Sequence, residues 1–110
     1  MSDLVELRIV LCTFPDQEQA RQIGTALVEK QLAACVNLLP GVESIYRWQG
    51  AVEISAEVLA IFKTTRAALP AFEEELVALH PYEVPELLAL EPAAAAAAYT
   101  AWVRGSTRSV

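Results

Sequence analysis

Four β-rich runs and three helix-period segments, in the order strand, helix, strand, strand, helix, strand, helix, predict an α+β fold. Three observations carry that reading: two long β-rich runs folded back on each other at Gln49-Gly50, amphipathic segments after Asp16 and after Thr65, and a last strand preceded by two prolines. With right-handed crossovers a βαββαβ order closes an antiparallel sheet with helices on one face. This is the ferredoxin-like arrangement, here with a long hairpin between the second and third strands and an extra carboxy-terminal helix. The 110 residues make a single domain, with an ordered core expected from about residue 5 to 104 and a frayed end from Gly105 to Val110.

Val5 to Thr13, VELRIVLCT, is a strand whose later half, Ile9 to Cys12, is apolar on both faces, which places it centrally in the sheet. Phe14-Pro15 ends it. Asp16 with Gln19 three residues on has the spacing of a capping box, and Ala20, Ile23, Gly24, Leu27 and Leu32 share one face, so a helix is expected from Asp16 to about Gln31. The run from Ala34 to Trp48 is dense in β-formers but changes phase at Pro40-Gly41. Proline cannot donate to a ladder and glycine accepts a bulged backbone, which predicts a bulge on an edge strand.

After the turn, Val52 to Thr64 alternates Val52, Ile54 and Ala56 against Glu53, Ser55 and Glu57, then becomes apolar on both faces from Val58 to Phe62. The second helix starts regularly at Pro70, with Leu69, Phe72, Leu76 and Leu79 inside and Glu73, Glu74 and Glu75 as a solvated face. His80 to Glu86, HPYEVPE, excludes helix and leads into a strand from Leu87 to Leu90. Six alanines, Ala93 to Ala98, favour a last helix anchored by Tyr99, Trp102 and Val103.

The third strand spans about 43 Å at 3.3 Å per residue, whereas a helix of the predicted length reaches about 24 Å. The hairpin therefore overhangs its own helices, with Tyr46 and Trp48 on one face of its tip. Leu59 and Ile61 point to the sheet face that no helix covers. A second chain is expected to cover both.

A net charge of −6 with scattered basic residues argues against nucleic acid as a partner. No apolar run approaches the ~20 residues of a membrane span, and Asp3 and Glu6 stand where a signal peptide carries positive charge, so a cytoplasmic protein without a membrane partner is expected. Two cysteines make no disulfide framework. Cys12 and Cys35 fall on strands separated by another, about 10 Å apart and beyond bridging distance.

Four stretches together, VLCTFPD from Val10, KQLAACVNLLPGVESIYRWQG from Lys30, EVLAIFKTT from Glu57 and HPYEVPELLAL from His80, resemble the CutA family of divalent-cation tolerance proteins. The resemblance covers about residues 8 to 103. It implies a ferredoxin-like protomer, a homotrimer like that of the PII signalling proteins, and a link to copper or other divalent-metal tolerance. Two departures stand out: Leu79 occupies the place of a second histidine found in some members, and the alanine run replaces a glycine-containing turn.

The chain has no nucleophile motif, Gly-rich phosphate loop, CxxC, HxxxH or EF-hand spacing, so a non-enzymatic role is expected. By the family resemblance, Cys12 and His80 match positions associated with copper, a thiolate and an imidazole that also suit Zn(II), with a carboxylate such as Glu86 or water needed to complete the site. The plainer alternative makes Cys12 core filler and His80 a turn residue donating to a carbonyl. Tyr46, Trp48, Glu57, Lys63, Tyr82 and Glu86 form a second constellation. It reads either as stacked aromatics with a Lys63-carboxylate pair in a subunit interface, or as an intersubunit cleft for a small anionic ligand or metal complex. A trimeric adaptor that binds a metabolite and a partner protein is the competing function.

Overall fold

A computed structural model describes residues 6–108. The element order is β1 (Leu7–Phe14), α1 (Gln17–Glu29), β2 (Cys35–Trp48), β3 (Ala51–Thr65), α2 (Leu69–Leu79), β4 (Leu88–Leu90) and α3 (Ala97–Gly105). The sheet runs β2-β3-β1-β4 with β1 antiparallel to β3 and to β4 and β2 antiparallel to β3, the ferredoxin-like topology. The predicted start of the first strand at Val5 lies outside the described residues.

Local chemistry sets most boundaries. Asp16 caps α1, accepting from Gln19 N at 2.8 Å and from the Gln19 side-chain amide at 2.8 Å. Gln49 (φ 52°) and Gly50 (φ 83°) form the two-residue hairpin turn, whose twist needs positive φ at both positions. The expected bulge is present: the β2 register slips between Leu39 and Val42, with Gly41 at φ 78°, on an edge strand where Pro40 breaks no ladder. Thr65 Oγ1 accepts from Ala68 N at 3.1 Å ahead of Pro70 in the first turn of α2.

The core lies between one sheet face and α1 with α2. Val10, Cys12 and Phe14 of β1, Val58, Ala60 and Phe62 of β3, Leu27 of α1, and Phe72 and Leu76 of α2 fill it. Phe62 and Phe72 meet edge to face at 5.0 Å. Leu79, expected inside, is exposed instead, because α2 ends there and His80 takes the inward place against Phe14, ring to ring at 4.6 Å. Of the acidic run on α2, Glu73 and Glu74 are exposed and Glu75 pairs with Lys30 of α1.

The last helix departs from expectation. It starts at Ala97, not Ala93, and Ala96 is extended at φ −64°, ψ 140°. Alanine's preference is a fraction of ~1 kcal/mol per residue, and a nucleus must still form, so packing decides. Ala95 packs instead with Leu7, Ala34 and Val103, and the stretch containing Ala94 to Ala96 borders a small cavity beside Leu7 and Ile9. Of the three predicted anchors Val103 is fully buried, whereas Tyr99 and Trp102 remain exposed and lie against each other at 5.7 Å. In the end expected to fray, Gly105 closes α3 and Arg108 N donates to Gln31 O at 2.9 Å; 109–110 lie outside the described residues.

The molecule measures 46 × 26 × 22 Å, and the hairpin makes the long dimension. Near its tip Ile45, Val52 and Ile54 are each more than 60% exposed, and Tyr46 and Trp48 about 40%. At the tip Trp48 still leaves nearly two-fifths of its surface exposed in the single protomer. Trp48→Ala is therefore expected to weaken subunit association while leaving the far-ultraviolet circular dichroism unchanged, as read by size-exclusion profiles across a dilution series. An unaltered profile and melting temperature would make Trp48 a free surface residue.

Candidate functional site

Cys12 and His80 lie on β1 and just after α2, but their environments are those of structural residues. Cys12 has no exposed surface and sits among the core side chains; its thiol makes a long contact of 3.7 Å to Thr13 O. Burial above all, with the Glu86 and Glu57 carboxylates adding to it, pushes that thiol up to about 12, away from the thiolate a metal requires. His80 has both ring nitrogens engaged by backbone. Tyr82 N–H points at Nδ1 at 3.1 Å, so Nδ1 is the acceptor, and Nε2–H must then donate to Thr13 O at 2.8 Å. Burial holds the imidazole below its ordinary value, favouring this neutral form, partly offset by the Thr13 carbonyl and Glu57.

The pair as folded does not fit a resident copper or zinc centre. No nitrogen of His80 is free, Cys12 is a sealed thiol, and among the described residues no group of three or more His, Cys, Asp or Glu side chains is placed to hold an ion. The same two hydrogen bonds leave His80 no nitrogen for moving a substrate proton.

The second constellation mostly comes together. β2 and β3 of the hairpin, the start of the loop after β1 and the 80–86 turn enclose a cleft of about 870 Å³, whose walls include Tyr46, Trp48, Glu57, Tyr82 and Glu86. The register explains it: Ser44 pairs with Ser55 and Tyr46 with Glu53, so after the bulge these side chains share one face with Glu57. Tyr82 OH donates to Glu57 Oε2 at 2.5 Å and ties the turn to the hairpin. Burial first, then that bond and the carboxylate's charge, push the Tyr82 phenol well above its usual range, so the proton stays on the tyrosine. Tyr46 OH lies 3.2 Å from Ser55 Oγ.

Lys63 does not belong there. Paired with Ile9 on one side and Cys35 on the other, it lies six positions along β3 from Glu57, about 20 Å away. Its ammonium donates to Asn37 Oδ1 and to Ile61 O, neither of them a carboxylate. The alternation of β3 puts Lys63 and Glu57 on the same face, but strand length separates them. Glu53 and Glu83 also line the cleft and were not singled out from sequence; Glu53 was legible as the direct cross-strand neighbour of Tyr46 once the turn was placed.

Comparison with known proteins gives a consistent result. A family model described as CutA1 divalent ion tolerance protein matches residues 8–106. The divalent-cation tolerance protein CutA of Thermus thermophilus is 52% identical over 99 residues, covering 90% of this chain and 96% of that protein. A solved structure of the divalent cation tolerance protein from Thermus thermophilus superposes with a TM-score of 0.90 at 50% identity, covering 93% of this chain and 99% of that one. Protein CutA of Homo sapiens is 45% identical over 98 residues, which cover 89% of this chain and 55% of the human protein.

Proposed function

Because the chain belongs to the CutA1 divalent ion tolerance family, we propose that it serves divalent-cation tolerance as a cytoplasmic homotrimer whose working site is the acidic, aromatic cleft beside each hairpin. It acts as a binding protein and not as a catalyst. The observation that carries the choice of site is Glu57. Its side chain is more than nine-tenths buried, one carboxylate oxygen is held by Tyr82, and it faces an open cavity with three further glutamates on the walls. Copper or another divalent cation entering the cleft would meet oxygen donors, with water completing its shell, so binding is modest and exchangeable.

Assembly is supported by the bare sheet face and the overhanging hairpin; the number three follows from the family. Ile9, Leu11, Leu59 and Ile61 remain partly exposed on the face away from α1 and α2, and Leu39, Leu88 and Leu90 are exposed. The cytoplasmic placement rests on two free cysteines, one on β1 and one on β2 with β3 between them, which suit a reducing compartment. Among the described residues no helix is long and apolar enough to cross a membrane. The adaptor reading keeps one observation of its own: the tip's exposed Ile45, Val52 and Ile54 would suit contact with another protein.

Calorimetric titration with Cu²⁺ and Zn²⁺ near neutral pH tests the choice of site. Glu57→Gln is expected to weaken whatever saturable binding the wild type has by about tenfold, the loss of one carboxylate ligand, while Cys12→Ser leaves it unchanged. Tight binding abolished equally by Cys12→Ser and His80→Ala would restore the thiolate-imidazole centre and displace the cleft.

A further inference from the structure

We propose that the cleft beside the hairpin takes an organic ammonium ion, a compact amine with an apolar portion, its charge seated on Glu57 and its apolar part against Tyr46 and Tyr82. The proposal rests on the reading of this cleft as the functional site and names its ligand class.

Charge comes first. Glu53, Glu57, Glu83 and Glu86 line the cleft, and among the described residues no lysine, arginine or histidine does. The small anionic ligand expected from sequence depended on Lys63, which lies elsewhere; an anion here would meet one sign of charge only. Glu57 supplies the specific anchor. Its Oε2 accepts from Tyr82 OH, which leaves further acceptor capacity on a carboxylate that lines the cleft. An N⁺–H donor, or the positive edge of a quaternary ammonium, completes that carboxylate without disturbing the tyrosine.

The aromatic rings separate an organic cation from a metal ion. Tight binding of a divalent ion needs convergent oxygen or nitrogen ligands, and among the described residues no three carboxylates, thiols or imidazoles converge, so the cleft holds such an ion only weakly, through single carboxylates and water. The rings offer such an ion little, whereas ammonium groups are attracted to the faces of Trp and Tyr. Both tyrosine hydroxyls are already engaged, Tyr82 with Glu57 and Tyr46 with Ser55, which orients those rings as surfaces and not as donors.

The test uses the full-length assembled protein and three probes sharing one ring: benzyltrimethylammonium, benzyl alcohol and benzoate, titrated by calorimetry at low and high salt, with Cu²⁺ alongside. The expected result is saturable binding of the cation alone, weakened by salt, and lowered about tenfold or more in Glu57→Gln. Tyr46→Leu provides a second variant, equally expected to lose affinity, in case Glu57→Gln fails to assemble. Benzoate binding as well as the cation, no binding of the cation to the assembled wild type, or binding indifferent to both variants each overturns the proposal. If Cu²⁺ binds in a Glu57-dependent way while the ammonium does not, the ligand class is wrong and the cleft stands as the site. If neither ligand depends on Glu57, both the ligand class and the choice of site are wrong.

Discussion

Leu59→Glu combined with Ile61→Glu is expected to give a species of protomer mass in light scattering at concentrations where the wild type, if it is the trimer proposed above, gives three times that mass. On β3, Leu59 faces Thr13 and Leu39, and Ile61 faces Leu11 and Asn37, so both side chains point away from α1 and α2. Elsewhere on that face α3 covers only one end, where Val103 meets Leu7 and Ala34. Burying each aliphatic side chain is worth about 1.5–3 kcal/mol, and every assembled subunit contributes two. Replacing them with carboxylates removes that gain and adds unpaired charge to a dry interface, which costs more again. In the isolated protomer both positions are partly exposed, so the variant chain keeps its core and its circular dichroism. A double variant that stays trimeric would move the interface to the hairpin tip alone.

The second large effect belongs to His80→Ala, expected to lower unfolding free energy by about 2–4 kcal/mol and to flatten its dependence on acid. The substitution strips the partners of Thr13 O and Tyr82 N–H, each worth about 1–3 kcal/mol if buried, and removes the ring stacked on Phe14. Water reaches the turn and limits the loss. The acid dependence follows from sign. The folded chain holds His80 below the ordinary value of 6.5, chiefly through burial, so the unfolded chain binds the proton first as pH falls. That contribution is complete above 6.5, is lost as pH falls below it, and levels off once folded His80 itself protonates. Urea unfolding at pH 7.5, 6 and 5 measures it. Asp16, held low by the Gln19 N–H and amide, titrates in a more acidic window and leaves this one clear. A slope between pH 7.5 and 5 that persists in the variant would place its origin in another group.

Sequence made most of the scaffold legible, because the signals were local. Gln49-Gly50 demanded a tight hairpin turn, Asp16 with Gln19 a helix start, Pro40-Gly41 a bulge at an edge, and alternation from Val52 onward a strand with one polar face. Each depends on a backbone preference or a side chain reaching at most a few residues away. The alanine run departs from its expected helix start for the complementary reason: its local preference is real but small, and the packing of Ala95 against Leu7 and Ala34 outweighs it.

By itself, the sequence determined the βαββαβ order, the hairpin and its overhang, the two-sided apolar strand, and the motif strings that place the chain in its family. The site was decided by tertiary structure. Whether His80 can ligate depends on a carbonyl 67 residues away, and Glu57 is held at the cleft wall by a tyrosine 25 residues away. Hydrogen bonding and burial at such separations are set by how strands and turns meet in space, and residue type alone cannot express them: the same histidine is a ligand with a free nitrogen and a structural bolt with both nitrogens bound.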